Sequence, residues 1–283
     1  MRKLSFLGQS AYGFHRVVYR EWGPERSERT LLCLHGLSRN GRDFAPLGEA
    51  LGAEGWRVVA PDTVGRGDSD RARSPKVYSY PQYLADMTAL IARLEVASLD
   101  WLGTSMGGLA GMMMAAAAGS PIRRLVINDV GPFIPKAAME RIAEYVGRPV
   151  SFASWDEAVA YARQTYASFG ELDPTGWQLM AEVSFRQDEA GRYQLNYDPA
   201  IAEAFAEGPI QDVSLWHLWD AIAQPTLLLR GARSDLLLEE TAAEMQGRGP
   251  KPQTVTFPGC GHAPSLYEPA QIAAIRDWLD ASA

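Results

Sequence analysis

The feature that most constrains this chain is the segment 103–107, Gly-Thr-Ser-Met-Gly, which matches the pattern Gly-x-Ser-x-Gly. Residues 99–102 before it predict a buried strand, and the largely apolar residues 108–118 after it predict a buried helix. A strand that turns directly into a helix crowds the backbone, so small residues are favoured two positions on either side of the serine. The turn would hold the Ser105 hydroxyl at the N-terminus of the helix, where a nucleophile is expected.

The pattern alone is weak evidence, because Gly-x-Ser-x-Gly is short and often occurs by chance in an ordinary turn. The predicted strand and helix around Ser105 strengthen the interpretation. Acyl transfer from a serine also needs a base for the hydroxyl proton, a carboxylate that orients the base, and backbone N–H groups for the oxyanion. The prediction of catalysis therefore depends on whether these three groups occur in a suitable chain order.

Predicted strands alternate with predicted helices in the first part of the chain, which indicates a parallel sheet covered by helices. The predicted strands are 14–22, 30–35, 56–61, 98–103, 124–128, 225–230 and 253–257. The alternation stops at about Gly131, and residues 131–218 contain helical and loop segments with many aromatic residues and no convincing strand. The chain thus predicts an α/β core of residues 1–130 and 219–283, interrupted by a helical cap at 131–218.

The composition excludes several classes of function. The formal net charge is −7 and no long basic run occurs, so we expect no nucleic-acid partner. The two cysteines, Cys33 and Cys260, form neither a disulfide framework nor a metal-ligand pattern, and no metal site is expected. No apolar run could span a bilayer and the N-terminal apolar stretch is too short for a signal peptide, so we expect a cytoplasmic protein without stable membrane insertion. The sequence leaves the oligomeric state open.

Of the four histidines, His262 is the best-placed base. It lies in the glycine-rich segment 257–264 after the last predicted strand, and loops at the carboxyl ends of parallel strands face the active-site crevice. His35 follows a strand and precedes a glycine, which favours a role in shaping that loop. His15 is expected to be a surface or packing residue, and His217 is expected to pack between Trp216 and Trp219.

Two aspartates compete for the role of the acid. Asp235 lies a few residues beyond one predicted strand, and Asp129 directly follows another. Both fit the chain order serine, aspartate, histidine, so the residues alone leave the choice open. The alternative role for Asp129 is to organise the loop at the root of the insertion.

The oxyanion site is predicted from two backbone amides. The residue after the nucleophile, Met106, supplies one N–H group. The second is expected from the loop after the strand 30–35, where Leu37 follows a His-Gly pair and its side chain would form a wall of the acyl pocket. A His-Gly pair is also found in ordinary tight turns.

With these motifs in order, the chain resembles the α/β-hydrolase superfamily over essentially its whole length. The matching segments are 34–37, 61–62, 65–69, 103–108, 231–235 and 261–262. The resemblance implies an α/β-hydrolase fold with a mostly parallel eight-stranded sheet and a cap inserted after the sixth core strand. It also implies a triad of Ser105, Asp235 and His262, with Asp129 as the alternative acid, and no required cofactor.

The predicted cap supplies candidates for an apolar substrate pocket, because aromatic side chains commonly line such sites. The candidates are Trp155, Tyr161, Tyr166, Phe169, Trp177, Phe185, Phe205, Trp216 and Trp219. Most of these side chains could equally form the interior of the cap. Arg39, just past the predicted oxyanion loop, could pair with a substrate carboxylate, although a solvated surface position is favoured.

These residues favour a serine hydrolase that cleaves carboxylic esters of small hydrophobic substrates through an acyl-enzyme intermediate. One alternative uses the same triad to cleave a carbon–carbon bond or a lactone, with Arg39 as the only pointer to a bound carboxylate. Another is a small-molecule receptor without turnover, which the complete set of catalytic groups disfavours. The fold hosts many chemistries, so the motifs do not choose the substrate.

Overall fold

The fold is built from strands and helices that alternate along most of the chain. The structure, a computed structural model, describes residues 1–205 and 208–281. The strands are β1 (Arg2–Ser10), β2 (Gly13–Trp22), β3 (Thr30–Leu34), β4 (Arg57–Pro61), β5 (Leu99–Thr104), β6 (Ile122–Asn128), β7 (Phe133–Ile134), β8 (Ser151–Phe152), β9 (Phe185–Gln187), β10 (Tyr193–Leu195), β11 (Val213–Ser214), β12 (Thr226–Gly231) and β13 (Gln253–Phe257). The helices are α1 (Ala45–Ala53), α2 (Tyr80–Leu94), α3 (Met106–Ala116), α4 (Lys136–Ala143), α5 (Trp155–Thr165), α6 (Pro174–Ser184), α7 (Ile201–Phe205), α8 (Trp216–Ala221), α9 (Glu239–Gly247) and α10 (Pro269–Ala281).

Eight strands form one sheet in the order β1-β2-β4-β3-β5-β6-β12-β13. The strands β1 and β2 pair antiparallel, as do β2 and β4, and every other neighbouring pair is parallel. This arrangement confirms the predicted α/β-hydrolase fold with a mostly parallel eight-stranded sheet. The parallel strands bring their carboxyl ends to one edge, which is where the candidate site lies.

Alternation of side chains along β3 explains why both faces of the sheet are covered. Leu32 and Leu34 join the core on one face, with α2, α3 and α8, whereas Leu31 and Cys33 join the core on the other face, with α1 and α10. All five residues of β3 are fully buried. A strand that is buried at every position, as β3 is, is therefore typical of a sheet packed on both faces.

The segment between β6 and β12, residues 130–225, is called the insert below. In the part of it that the structure describes, helices α4 to α8 are accompanied by two small antiparallel sheets, β8-β10-β9 and β11-β7. The prediction that this segment has no strand is wrong. Its strands are two or three residues long, too short for a period-two pattern to be visible in the sequence. The division into core and cap at 131–218 stays a prediction.

The helices do not suggest a bilayer-spanning element. Within residues 1–205 and 208–281, no helix combines the length and the apolar character that crossing a membrane requires.

Candidate active site

Ser105 lies on a sharp turn between β5 and α3, with φ 51° and ψ −113°. The backbone comes so close here that only glycine fits on either side. A Cβ atom on Gly103 would overlap the carbonyl oxygen of Gly107, and one on Gly107 would overlap the carbonyl oxygen of Leu34. These contacts give the physical reason for the Gly-x-Ser-x-Gly pattern in this chain.

His262 lies in the loop after β13, and its Nε2 atom is 3.0 Å from Ser105 Oγ. Its Nδ1 atom is 2.9 Å from Oδ2 of Asp129, which directly follows β6 and is fully buried. A carboxylate only accepts, so Nδ1 carries the proton and donates it to Asp129. Nε2 is then free to accept the Ser105 hydroxyl proton. The structure thus joins a hydroxyl, an imidazole and a carboxylate in one hydrogen-bonded chain.

The carboxylate of Asp129 is held from two further directions. Oδ1 accepts a hydrogen bond from the backbone N–H of Gly231 at 2.7 Å, and Oδ2 accepts one from the Ser234 hydroxyl at 2.6 Å. Asp129 has a left-handed backbone conformation, with φ 58°. The strand ends β6 and β12 therefore lock this side chain towards His262.

The expected contact between Asp235 and His262 is wrong. The Asp235 side chain is 48% exposed and pairs with Arg141 of α4, through Oδ1 to Nη2 at 2.9 Å and through Oδ2 to Nε. The loop after β12 turns the hydroxyl of its neighbour Ser234 inward instead, onto Asp129. The alternative acid, Asp129, occupies the position beside the imidazole.

The insert contacts the His262 loop through Ser168. The Ser168 hydroxyl donates to the His262 carbonyl oxygen at 2.7 Å, and the Ser168 carbonyl oxygen accepts from the Gly261 N–H at 2.7 Å. No sequence signal pointed to Ser168, because a serine in a short helical turn is common. The two hydrogen bonds, one to Gly261 and one to His262, hold the backbone that carries the imidazole.

The two amides predicted for an oxyanion site lie beside Ser105. Leu37 and Met106 both border the same cavity as the serine, and neither N–H has a hydrogen-bond acceptor among the residues that the structure describes. The Leu37 carbonyl oxygen accepts from Nε of the buried Arg66 at 2.9 Å, which fixes the loop. The two N–H groups are thus available to a ligand.

The remaining histidines are accounted for by other contacts. His35 is fully buried; the Thr63 N–H donates to its Nε2 at 3.0 Å, and its Nδ1 donates to the Gly36 carbonyl oxygen at 2.7 Å. Burial lowers the pKa of His35 to about 3, so the imidazole stays neutral and shapes the loop as expected. His15 is buried against Asp86, 2.9 Å away, whereas His217 is exposed, contrary to the expectation that it packs.

Cys260, close to His262 in the chain, does not compete as a nucleophile. Its thiol is buried, and burial followed by the nearby charge of Asp129 raises its pKa to about 11. The thiol form is a poor nucleophile. Among the described residues, no group of three or more potential His, Cys, Asp or Glu ligands is arranged to hold a metal ion.

Two cavities meet at Ser105. The larger has a volume of about 520 Å³ and mostly apolar walls from α2, α3 and the insert, including Leu109, Met113 and Met139. The smaller has a volume of about 50 Å³ and is bordered by His262 and Arg39. Both cavities are predominantly apolar next to the serine, but the smaller one reaches a buried charged pair.

The structure separates the predicted pocket residues into two groups. Arg39, Tyr166 and Phe169 border the smaller cavity, and Arg39 is 4% exposed, so its expected position on the solvated surface is wrong. The remaining described candidates border neither cavity: Trp155, Tyr161, Trp177, Phe185, Trp216 and Trp219. The side chain of Phe205 lies outside the described residues.

Three of the candidates that border neither cavity make other side-chain contacts. Trp155 bonds Gln178 and stacks with Tyr193, and Trp177 lies under Arg163. Trp216 lies under Arg248. Their amphipathic rings stabilise the insert, which is the commoner role of helical aromatic residues.

Sequence reasoning missed the tyrosines of the larger cavity. Tyr78, Tyr80 and Tyr83 border it at the start of α2. The density of tyrosine in residues 78–83, just before a predicted helix, was the available signal. These tyrosines belong to the α/β core, whereas the aromatic residues predicted to line the pocket all lie in the insert.

Comparison with known proteins identifies the family to which the chain belongs. A family model described as alpha/beta hydrolase fold matches residues 29–269. The chain is 45% identical to a 3-hydroxybutyrate-oligomer hydrolase of Cupriavidus necator over 93% of this chain and 92% of that protein. It is 25% identical to a 2-(acetamidomethylene)succinate hydrolase of Mesorhizobium japonicum over 89% and 88% of the two chains. The crystal structure of an alpha/beta hydrolase from Novosphingobium aromaticivorans superposes with a TM-score of 0.88 at 39% identity, covering 98% of each chain.

Proposed function

Because the chain belongs to the α/β-hydrolase family and is a hydrolase, we propose that it cleaves carboxylic esters of small hydrophobic substrates. The proposed catalytic residues are Ser105, His262 and Asp129. The observation that carries the proposal is the continuous hydrogen-bonded chain from the Ser105 hydroxyl through the imidazole to the buried carboxylate. This chain has the arrangement that activates a serine for attack on a carbonyl carbon.

In the proposed first step, Ser105 Oγ attacks the ester carbonyl carbon and its proton passes to His262 Nε2. Asp129 keeps the proton on Nδ1 and stabilises the imidazolium. The developing oxyanion accepts hydrogen bonds from the N–H groups of Leu37 and Met106. Each such donor contributes about 3 kcal/mol to stabilising the transition state.

Collapse of the tetrahedral intermediate breaks the bond to the leaving oxygen, which takes the proton from His262 Nε2 and departs as an alcohol. The acyl group remains on Ser105 Oγ. A water molecule then gives a proton to His262 and attacks the acyl carbon, and the acid is released as the serine regains its proton. Besides the substrate and this water molecule, the proposed cycle uses only the side chains and backbone amides named above.

The larger cavity supports the choice of an apolar substrate, because its walls are almost entirely aliphatic, aromatic or thioether groups. The name of the Cupriavidus necator relative points the same way, since oligomers of 3-hydroxybutyrate are joined by ester bonds. Cleavage of a carbon–carbon bond has less support, because the expected carboxylate anchor, Arg39, pairs with Asp43. A lactone is an internal ester and belongs in the same substrate panel.

Turnover of an ester panel by the intact chain and by Ser105→Ala tests the proposal. The panel contains p-nitrophenyl esters of two to twelve carbons, a 3-hydroxybutyrate dimer methyl ester and a lactone. We expect turnover by the wild-type chain and an intact-mass increase equal to the acyl group. The exposed Ser5→Ala variant serves as the control and should behave as wild type. Ester turnover that persists in Ser105→Ala would contradict the proposal.

A further inference from the structure

The smaller cavity ends at a buried ion pair that the proposed chemistry does not use. Arg39 Nε donates to Asp43 Oδ2 at 2.8 Å, and Nη2 donates to Asp43 Oδ1. Nη1 donates to the Ser184 hydroxyl. The Tyr267 hydroxyl donates to Asp43 Oδ1 at 3.1 Å. Burial lowers the pKa of Arg39 and the Asp43 carboxylate raises it, with a net upward shift, so the guanidinium stays charged.

The pair presents polar groups to the cavity without a net charge. A guanidinium has five N–H groups, and three of those on Arg39 are engaged by Asp43 and Ser184. Two N–H groups remain as donors, and one lone pair remains as an acceptor on Asp43 Oδ2, because Oδ1 already accepts from Arg39 and Tyr267. The guanidinium carbon of Arg39 lies 4.8 Å from the centre of the Tyr166 ring, and this cation–π contact holds the guanidinium group in place.

The position of His262 indicates which part of an ester occupies this cavity. His262 borders the smaller cavity but not the larger one. The leaving oxygen must take its proton from His262 Nε2, so the alcohol has to lie on the imidazole side of Ser105. The acyl group then extends into the larger apolar cavity.

The volume limits how much of the alcohol the cavity can enclose. A water molecule needs roughly 10–15 Å³ of such space, so a cavity of about 50 Å³ encloses a group of about three to five non-hydrogen atoms next to the ester oxygen, and the rest of a larger alcohol must extend beyond it. A group of this size has room for one polar substituent beyond the ester oxygen.

We propose that the smaller cavity is the leaving-group subsite, and that Arg39 and Asp43 together select short neutral alcohols that carry a second hydroxyl. This inference rests on the proposed ester hydrolysis. A hydroxyl can donate to Asp43 and accept from Arg39 at once, which satisfies both members of the pair. A carboxylate would be buried beside the Asp43 carboxylate on a guanidinium that is already neutralised, and it would lose its hydration without gaining an unpaired cation.

Three butanoate esters with leaving groups of similar size test this selection in the wild-type chain. The esters are propyl, 2-hydroxyethyl and carboxymethyl butanoate, and each kcat/KM is divided by the rate constant of hydroxide-catalysed hydrolysis. We expect the 2-hydroxyethyl ester to exceed the propyl ester about three- to tenfold, as one hydrogen bond provides. We expect the carboxymethyl ester to lie at least about tenfold below the propyl ester, because its charge must be desolvated.

Two variants invert or remove the selection. Arg39→Met should abolish the advantage of the 2-hydroxyethyl ester, and Asp43→Asn should raise carboxymethyl turnover relative to propyl, because it leaves a cation without its partner. Arg163→Met is the matched control, since Arg163 also stacks on an aromatic ring but lies away from both cavities. The three-ester comparison in the wild-type chain does not depend on whether these variants fold.

A wild-type preference for carboxymethyl butanoate, or equal normalised rates for all three esters, would overturn the inference. Its failure is distinguishable from failure of the proposed function. In the first case esters are hydrolysed and a fluorophosphonate labels Ser105, but the selectivity is absent. In the second case none of the esters is turned over.

Discussion

The residues at the carboxyl ends of the strands and the residues of the insert contribute differently to the candidate site. Ser105, Asp129 and His262 follow β5, β6 and β13, and backbone contacts fix the first two in left-handed conformations. The insert supplies part of the walls of both cavities and a contact to the His262 loop. We therefore expect the proposed chemistry to depend on the rigid strand ends. The size and polarity of the substrate should depend on the side chains that line the cavities, which can be substituted without altering the strand ends.

The largest expected effect separates the two aspartates. Asp129→Asn should lower kcat by about 10⁴-fold, because an amide at this position no longer holds the Nδ1 proton and favours the wrong imidazole tautomer. Asp235→Asn should change kcat by less than about twofold, because an exposed ion pair contributes little. Steady-state kinetics with one p-nitrophenyl ester measures both. The opposite ranking would restore Asp235 as the acid and remove the link between strand-end rigidity and chemistry.

A second prediction concerns the backbone of the sharp turn at residues 103–107, called the elbow below. Gly107→Ala places a Cβ against the Leu34 carbonyl oxygen, and backbone atoms cannot give way, so the free energy of unfolding should fall by about 3 kcal/mol or more. Gly247→Ala at the end of α9 meets no atom within 4 Å and is the matched control. It should be neutral or stabilising by at most about 1 kcal/mol. Urea denaturation of both variants measures the difference, and equal stabilities would contradict the packing argument.

The strand-end loop at His35 should also give the protein a measurable pH dependence. Its pKa of about 3 in the folded chain lies below the ordinary value, so between about pH 6.5 and pH 3 the unfolded chain binds a proton that the folded chain does not. This contribution to stability is complete above pH 6.5 and is lost on acidification. From pH 7 to pH 5, the free energy of unfolding of the wild type should fall by about 2 kcal/mol more than that of His35→Gln. Parallel urea titrations at the two pH values test this, and equal decreases would show that His35 titrates normally.

The smallest effect is expected in the insert. Met139 of α4 borders the larger cavity, so Met139→Trp should shorten it and lower kcat/KM for octanoate relative to butanoate esters about tenfold. The rate of Ser105 labelling by a small fluorophosphonate should stay at the wild-type value. Leu7→Trp, at an exposed position in β1, is the control. Loss of labelling in Met139→Trp would mean that this wall of the larger cavity cannot be changed without affecting the reactivity of Ser105.

Much of the site could be predicted because its residues follow sheet strands. The elbow, the His-Gly loop and His262 each have a local sequence pattern, and the sheet brings strand ends together by topology alone. The sequence could not decide between Asp129 and Asp235 as the acid, because both residues follow strands. It depends on the left-handed φ of Asp129 and on Ser234 taking the inward position, neither of which has a pattern in the sequence.

The cavity walls were harder to predict, because packing between distant segments decides them. An arginine in a loop is expected on the surface, but Arg39 is covered by two side chains. Asp43 lies on the neighbouring turn, and Tyr166 lies in the insert. The aromatic residues of the insert have the same composition whether they face a cavity or each other. Tyr166 borders the smaller cavity and Trp177 does not because tertiary packing places the two side chains differently, and no local sequence pattern encodes that placement.

The two hydrogen bonds between Ser168 and the His262 loop connect the insert to the backbone that carries the proposed base. If the insert were displaced enough to expose Ser105 to bulk water, Ser168 would leave with it, and the imidazole backbone would lose the support that aims Nε2 at the hydroxyl. Exposure of the serine and activation of the serine would then exclude each other.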